Sequence, residues 1–384
     1  MKHLVLKNGY TFNTFANWKR ILRIYPHVQP KYFPKLIRLV SAGIFAAPFQ
    51  WVEHRRYSER LREIQPHEEP IFIMGFWRTG TTHLHNLLTQ DSNYGYVSTL
   101  QSLMPGFIYS NGKVLRKFLL AILPKIRPMD NIVPSPDAPQ EEDIAMMNIS
   151  PHGYYHYLLF PKEIRPLFQK YVLMRDISSS ELEEWREDYL SILRTATYLS
   201  EGKPLILKNP SHIGHLPKIL DLFPKARFIE IRRDPLSVWI SFLHLHKSTI
   251  PTHNLQDFSW EAFEEDCLYI FKETMRQWLK DRSLLSEENK VIVYYEDLIS
   301  SPLKTLHRIY ESFGLPDKLV SPRWESYLES IKDYQRNNLV PKSEDFQKVS
   351  RRLDFLYEAW GYPLPEKNPS ITMRSPGGIK IKDE

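Results

Sequence analysis

Gly75-Phe76-Trp77-Arg78-Thr79-Gly80-Thr81-Thr82 is the segment with the plainest chemical meaning. It holds two glycines, a cation and three hydroxyl side chains between an apolar run, Ile71 to Met74, and a helix-like pattern, Leu84, Leu87 and Leu88. A strand, a glycine-bearing loop and a helix N-terminus in that order present backbone N–H groups and a favourable dipole to a phosphate. The spacing of Gly75 and Gly80 fits the nucleoside-triphosphate loop G-x-x-x-x-G-K-[ST], but Thr81 stands where that loop carries lysine. The cation is Arg78, inside the loop. The segment is suited to hold a phosphate without the usual magnesium-triphosphate chemistry.

Arg233-Asp234-Pro235 forms a second constellation. The run Arg227 to Ile231 leads to an arginine, Pro235 sits where the first residue of a helix belongs, and Ser241 lies eight positions after Arg233. A guanidinium binds phosphate bidentately, and a serine hydroxyl can complete the cage. The competing reading is an exposed Arg233–Asp234 ion pair, which would contribute little. Two phosphate-binding strand-to-helix turns suit a nucleotide that carries phosphate at two ends of its ribose.

These turns need a sheet behind them. Leu205-Ile206-Leu207 ends in Lys208-Asn209-Pro210-Ser211-His212, and Val291 to Tyr295 ends in Glu296-Asp297. Helical patterns follow the later runs, over Ile213 to Phe223, Leu236 to Leu245 and Leu303 to Phe313. Strands alternating with helices, with polar residues at the strand C-termini, predict a parallel α/β sheet with ligands at those ends. Residues 1–66 read as a helical N-terminal region that stops at Pro66-His67-Glu68-Glu69-Pro70. The main domain is expected over 67–366, with a proline-rich, less regular cap insertion over 93–199 and a flexible tail over 367–384.

The 384 residues can bury a sizeable core, and a hydrophobic content of 42% with 25% charged residues is ordinary for a globular protein. The net charge of +6 suits anionic ligands or an anionic membrane surface. No dense basic run or nucleic-acid motif accompanies it, so nucleic acid is not an expected partner. Cys267 is the only cysteine, which leaves no intrachain disulfide and points to a cytoplasmic setting. No segment reads as a secretory signal or a membrane span. Residues 33–52 are apolar but interrupted by Arg38 and Pro48, and their flanks carry Lys31, Lys35, Arg55 and Arg56. That pattern suits either a helix packed on the core or a peripheral helix at the inner face of a membrane.

The loop Gly75 to Thr82, the segment Phe223-Pro224-Lys225-Ala226-Arg227-Phe228 leading to Arg233 and Ser241, and Tyr295-Glu296-Asp297-Leu298 together resemble the sulfotransferases. These enzymes use 3′-phosphoadenosine 5′-phosphosulfate as donor. The resemblance covers roughly residues 70–362 and is greater to the bacterial carbohydrate- and lipid-type enzymes than to the compact cytosolic ones. It implies a P-loop-like α/β fold in which Arg78, Thr79, Gly80, Thr81 and Thr82 bind the 5′-phosphosulfate. Arg233 and Ser241 would bind the 3′-phosphate, Tyr295 would lie near the adenine, and Arg336 would belong to a basic segment folding over the 3′-phosphate. Exposed polar loop is the alternative for Arg336, and Tyr295-Glu296-Asp297 could equally be a structural strand end. Trp77 departs from the proline often found in relatives at its position.

Sulfuryl transfer to an alcohol needs a base for the acceptor proton and stabilisation of charge on the leaving oxygen, here by Arg78 and the loop amides. By resemblance the transfer is metal-independent, and the acidic stretch Pro139-Gln140-Glu141-Glu142-Asp143 supplies the base, with Glu141 first and Glu142 second. Acidic residues in a first helical turn are also favoured by the dipole alone. His212 is the rival base, because cytosolic relatives use a histidine, and Lys208 could reach the transferring group. His85 is expected to be a packed helix histidine, while His152 and His156 lie in an aromatic stretch that could be core or acceptor pocket.

Phe107-Ile108-Tyr109, Tyr154 to Phe160 and the apolar N-terminal helix favour a lipophilic acceptor alcohol, sterol- or glycolipid-like. Aromatic platforms also stack sugars, so a carbohydrate acceptor is the alternative. From other classes, a small-molecule kinase or a non-catalytic nucleotide-binding protein would keep the loop. The missing lysine at Thr81 speaks against the kinase.

Overall fold

A computed structural model of the chain describes residues 9, 10, 13–106, 108, 109, 112–127 and 129–365. The tail expected over 367–384, Phe107 of the aromatic segment and most of the first dozen residues lie outside them. In chain order the elements are α1 (Phe15–Ile24), α2 (Phe33–Glu63), β1 (Ile71–Met74), α3 (Thr81–Leu88), α4 (Thr99–Leu103), α5 (Gly112–Ile122), α6 (Glu142–Ile149), α7 (Ile164–Tyr171), α8 (Ser179–Leu199) and β2 (Ile206–Leu207). There follow α9 (Leu216–Leu222), β3 (Arg227–Arg232), α10 (Pro235–His253), α11 (Trp260–Asp281), β4 (Lys290–Tyr294), α12 (Tyr295–Ser300), α13 (Pro302–Ser312), α14 (Ser321–Ser330), α15 (Ser343–Arg352) and α16 (Asp354–Trp360).

The four strands form one sheet in the order β2-β1-β3-β4, with every pairing parallel. β1 pairs Ile71 to Met74 with Arg227 to Glu230, and β3 pairs Phe228 to Arg232 with Lys290 to Tyr294. Successive side chains point to opposite faces of a strand. Phe72, Met74, Leu207 and Phe228 accordingly enter one buried cluster, and Ile71, Ile73, Ile206, Ile229 and Ile231 enter the other. Helices cover both faces, which is why β1 reads as an unbroken apolar run. The C-terminal ends of β1, β2, β3 and β4 lead to Gly75, Lys208, Arg233 and Tyr295 respectively, so one edge of the sheet gathers the chemically informative residues.

Two local differences from the sequence reading have physical causes. Tyr295 begins α12 rather than ending a strand. The helix expected over Ile213 to Phe223 is a 3-10 turn, Pro210–Gly214, followed by the short α9. Gly214 sits against the Val172 carbonyl, 2.6 Å from where a Cβ would stand, so the chain must pass there closely before the helix can start. α2 runs through Pro48 to Glu63. Pro48 lies on its exposed side, where water can satisfy the carbonyl that proline leaves unbonded. The inward residues of α2 are Leu39, Gly43, Ala46, Gln50 and Glu53, a spacing of three and four that keeps one narrow face on the protein.

Candidate active site

The loop after β1 depends on its glycines. A Cβ on Gly75 would stand 2.5 Å from Ile231 Cγ2 and 2.6 Å from Thr79 Oγ1. Gly80 has φ of +100°, and a Cβ there would run into the Tyr295 ring. Arg78 also lies in the left-handed region, with φ of +73°. A non-glycine residue held there costs on the order of 1 kcal/mol, so the surroundings must fix it. They do so through its side chain. Arg78 Nε donates to Ser241 Oγ at 3.0 Å, Nη2 donates to the Met129 carbonyl at 3.2 Å, and Nη1 lies 3.5 Å from Asp130 Oδ2. Burial pulls the Arg78 pKa down and Asp130 opposes that shift.

Arg233 reaches the same loop. Its Nη1 donates to the Arg78 carbonyl at 2.9 Å, and its guanidinium lies over the Tyr295 ring, 4.2 Å from the centroid. Arg233 Nε is buried without a hydrogen-bond partner among the described residues. Arg336 donates to the Tyr295 hydroxyl at 3.3 Å from an exposed segment. That segment is tied down beside Arg78: Asn337 donates to the Met129 carbonyl at 3.0 Å and Tyr334 to the Asp130 carbonyl at 2.7 Å. The first-turn amides of Thr81 and Thr82 make no bond among the described residues. An orphaned guanidinium nitrogen, free first-turn amides and converging arginines fit an anionic group. The sequence separated the Arg78 and Arg233–Ser241 turns; in the fold Arg78 touches both Ser241 and Arg233 directly.

A second cluster adjoins the loop through Thr82. Lys208 Nζ lies 2.5 Å from Glu141 Oε1 and 3.4 Å from Thr82 Oγ1. Glu141 is the N-terminal cap residue of α6, and Glu142 and Asp143 occupy the first turn, where the helix dipole favours acids. Glu142 accepts the Lys208 backbone N–H at 3.3 Å, and Asp143 accepts from Ser211 Oγ at 2.5 Å. Burial pushes Glu142 up to about 8 and Asp143 up to about 6. Burial also acts upward on Glu141, but Lys208 and then the Tyr155 hydroxyl more than reverse it, so its carboxyl is held below the ordinary value. The neighbouring carboxyls are thus driven apart, Glu141 ionised and Glu142 protonated near neutral pH. The Glu141 side chain keeps an exposed edge, at 16% against 0% for Glu142.

His212 stands behind this cluster. It is fully enclosed, its Nε2 lies 3.0 Å from the Tyr189 hydroxyl and 3.7 Å from Glu142 Oε2, and its ring meets Phe72 edge-on. Burial, then His215 and Lys208, hold it well below the usual imidazole range. His85 packs with Nε2 on the Ile206 carbonyl at 3.1 Å, and burial lowers it to about 3. His156 is likewise enclosed, 3.0 Å from the Tyr10 hydroxyl, and burial lowers it to about 4.

Sequence reasoning missed Tyr155 as a partner of Glu141. Its hydroxyl donates to Glu141 Oε2 and accepts from Trp77 Nε1 at 2.8 Å. Trp77, the residue that departs from proline, therefore joins the loop to Glu141 through one hydroxyl. Asp130 was missed too. No local signal could have found these pairings, since Trp77 and Tyr155 are distant in the chain. Two surface cavities, of about 330 and 460 Å³, share no residue with either cluster. Among the described residues no group of three or more His, Cys, Asp or Glu is placed to hold a metal.

Fold and site together define a P-loop-like α/β protein with converging arginines at its strand ends beside a carboxylate–lysine pair. Residues 70–318 match the sulfotransferase family, and the chain belongs to that family. It is a sulfotransferase with 3′-phosphoadenosine 5′-phosphosulfate as co-substrate, which sets aside the kinase and non-catalytic readings. The chain is 29% identical over 323 residues to the omega-hydroxy-beta-dihydromenaquinone-9 sulfotransferase Stf3 of Mycobacterium bovis, covering 84% of this chain and 82% of that one. The crystal structure of sulfotransferase STF1 from Mycobacterium tuberculosis H37Rv superposes with a TM-score of 0.62 at 18% identity, over 89% of this chain and 94% of that one. Sulfotransferase STF9 from Mycobacterium avium gives 0.64 at 19% identity, over 81% and 82%. Both crystal structures share the fold.

Proposed function

We propose that this enzyme moves the sulfuryl group to the hydroxyl of a lipophilic acceptor, with Glu141 as general base. The observation that carries the reading is the contact of Lys208 with both Glu141 and Thr82, which sets a carboxylate against the loop. The acceptor class is supported by Stf3, whose name specifies a hydroxylated menaquinone derivative. In this reading Arg78, Thr79, Gly80, Thr81 and Thr82 hold the 5′-phosphosulfate, Arg233 and Ser241 hold the 3′-phosphate, Tyr295 lies near the adenine, and the segment of Arg336 folds over the 3′-phosphate.

The acceptor oxygen forms its bond to sulfur as the bond from sulfur to the bridging oxygen breaks. By analogy with phosphoryl transfer, this passes through a loose in-line transition state with charge building on the leaving oxygen. Arg78, Lys208 and the loop amides face that charge. Glu141 takes the acceptor proton. While Lys208 is paired with Glu141 the carboxylate is a weak base; as Lys208 turns to the transferring group, Glu141 gains basicity when it is needed. Tyr155 positions Glu141. Glu142, neutral and enclosed, holds the Lys208 backbone. The enclosure of His212 favours a supporting place over a proton-transfer role.

The remaining assignments belong to the same proposal: a catalytic domain over 67–366 with residues 93–199 as its cap, a cytoplasmic setting, and a peripheral contact of residues 33–52 with the inner face of a membrane. Among the described residues no helix is long and apolar enough to cross a membrane. Transfer assays with Glu141→Gln at saturating donor test the base: kcat should fall roughly 10²–10⁴-fold with donor affinity retained. Full turnover would remove the assignment. Incubation of the enzyme with labelled donor and panels of lipid, sterol and sugar alcohols tests the acceptor class; transfer to sugars alone would overturn it.

A further inference from the structure

The outer face of α2 is apolar over several turns. Ile37, Ile44, Phe45, Phe49 and Val52 recur at helical spacing on the side away from Leu39, Gly43 and Ala46, and Phe45 is 77% exposed. Trp51 beside them is exposed under the guanidinium of Arg55, which lies 5.1 Å from its ring centroid. α5 repeats the pattern. Leu115, Leu119 and Ile122 turn inward onto a small cluster with Ala46, Leu100 and Met104, while Val114 and Leu120 stand outside at 67% and 56% exposure. Both helices therefore lean on one buried cluster and leave large apolar side chains uncovered. Such patches on a soluble surface mark interaction sites.

Charge identifies the occupant. No Asp or Glu occurs between Phe33 and Val52, and none within Gly112–Ile122. Arg38, Arg55, Lys113 and Lys117 flank the apolar residues; Arg116 is neutralised by Asp137 at 2.7 Å. Apolar side chains bordered by cations are the composition of a surface that lies in the interface of an anionic bilayer. The position serves the reaction as well. Seven and eight residues beyond α5, Met129 and Asp130 contact Arg78 of the loop, so a short stretch of chain links this face to the site.

We infer that α2 and α5 form one docking face for an anionic bilayer, α5 being the arm that brings the membrane beside the loop. The inference rests on the proposed contact of residues 33–52 and the lipophilic acceptor, and adds a second helix and the lipid charge. The full chain is floated with phosphatidylcholine vesicles, with and without phosphatidylglycerol. The variants are I44E/F45E on α2 and V114E/L120E on α5, all at exposed positions outside the site. Binding should favour the anionic vesicles, and each double variant should lower it roughly tenfold or more. Transfer to a short water-soluble alcohol should stay unchanged. Wild-type binding by V114E/L120E, or equal binding to both vesicle types, would overturn the inference. So would light scattering that shows a wild-type dimer broken by these substitutions, since the face would then cover a second copy. Vesicle binding without transfer to any acceptor would strike the functional proposal and leave the docking face standing.

Discussion

The loop after β1 is one continuous stretch, Gly75 to Thr82, whereas the carboxylate cluster is assembled from Glu141 before α6, Lys208 after β2 and Tyr155 in the turn beyond α6. The loop is fixed by backbone necessity: Gly75 and Gly80 admit no side chain, and Arg78 is held left-handed by bonds to Ser241, Met129 and Asp130. The cluster is fixed by electrostatics, one carboxyl ionised by a lysine and its neighbour kept neutral by burial. Backbone geometry tolerates little chemical change and is insensitive to pH. The electrostatic side can be tuned by single protons, as a general base requires.

The contrast breaks hardest at Glu141. If Glu141→Gln retains donor affinity while losing roughly 10²–10⁴ in kcat, the two regions hold separate duties. Equal losses in donor binding would merge them. Arg78→Ala should cost about 10²–10³ in kcat and weaken donor binding as well, because the side chain braces the loop and, in the proposed reaction, faces the leaving charge. Unchanged kinetics would remove the loop from the reaction.

Gly80→Ala sharpens the backbone half. The methyl would meet the Tyr295 ring at a positive φ, so thermal unfolding should show a loss of about 1–3 kcal/mol. A neutral result would mean that the loop moves freely against α12.

Glu142→Gln probes the electrostatic half through pH. The folded state raises this carboxyl from its ordinary 4.5 to about 8. Between those values the folded state binds more protons than the unfolded one, so stability is present at low pH and declines as pH rises. The wild-type Tm should therefore fall between about pH 5 and about pH 8 more steeply than that of Glu142→Gln. Parallel Tm curves would show that the carboxyl is not held neutral. The smallest effect belongs to Tyr155→Phe. Losing a hydrogen bond to the ionised form should raise the Glu141 pKa, moving the acid limb of the kcat profile to higher pH and lowering kcat a few-fold, roughly 3–10. An unmoved limb would show that Tyr155 does not position the base.

The same contrast explains what the sequence made legible. The strand–loop–helix order around Gly75 to Thr82 is local, and so is Arg233-Asp234-Pro235; apolar runs ending in polar residues sufficed to place both at the end of a parallel sheet. Glu141 and Lys208 were each visible as strand-end or helix-start residues, but their pairing was not. It depends on how β2 and the chain before α6 pack, and no residue spacing encodes that. Trp77 and Tyr155 are the clearest case, one read as a departure from a motif and the other as generic aromatic content.

In the proposed function, Arg233 beside the loop recognises the 3′-phosphate of a bisphosphorylated adenosine. Calorimetric titration of wild type and Arg233→Ala with 3′-phosphoadenosine 5′-phosphate and with adenosine 5′-phosphate tests it most directly. Wild type should prefer the bisphosphate by roughly 10–100-fold, and the substitution should collapse that preference while sparing the monophosphate. An Arg233→Ala enzyme that keeps the full preference, or loses both ligands alike, would contradict the account.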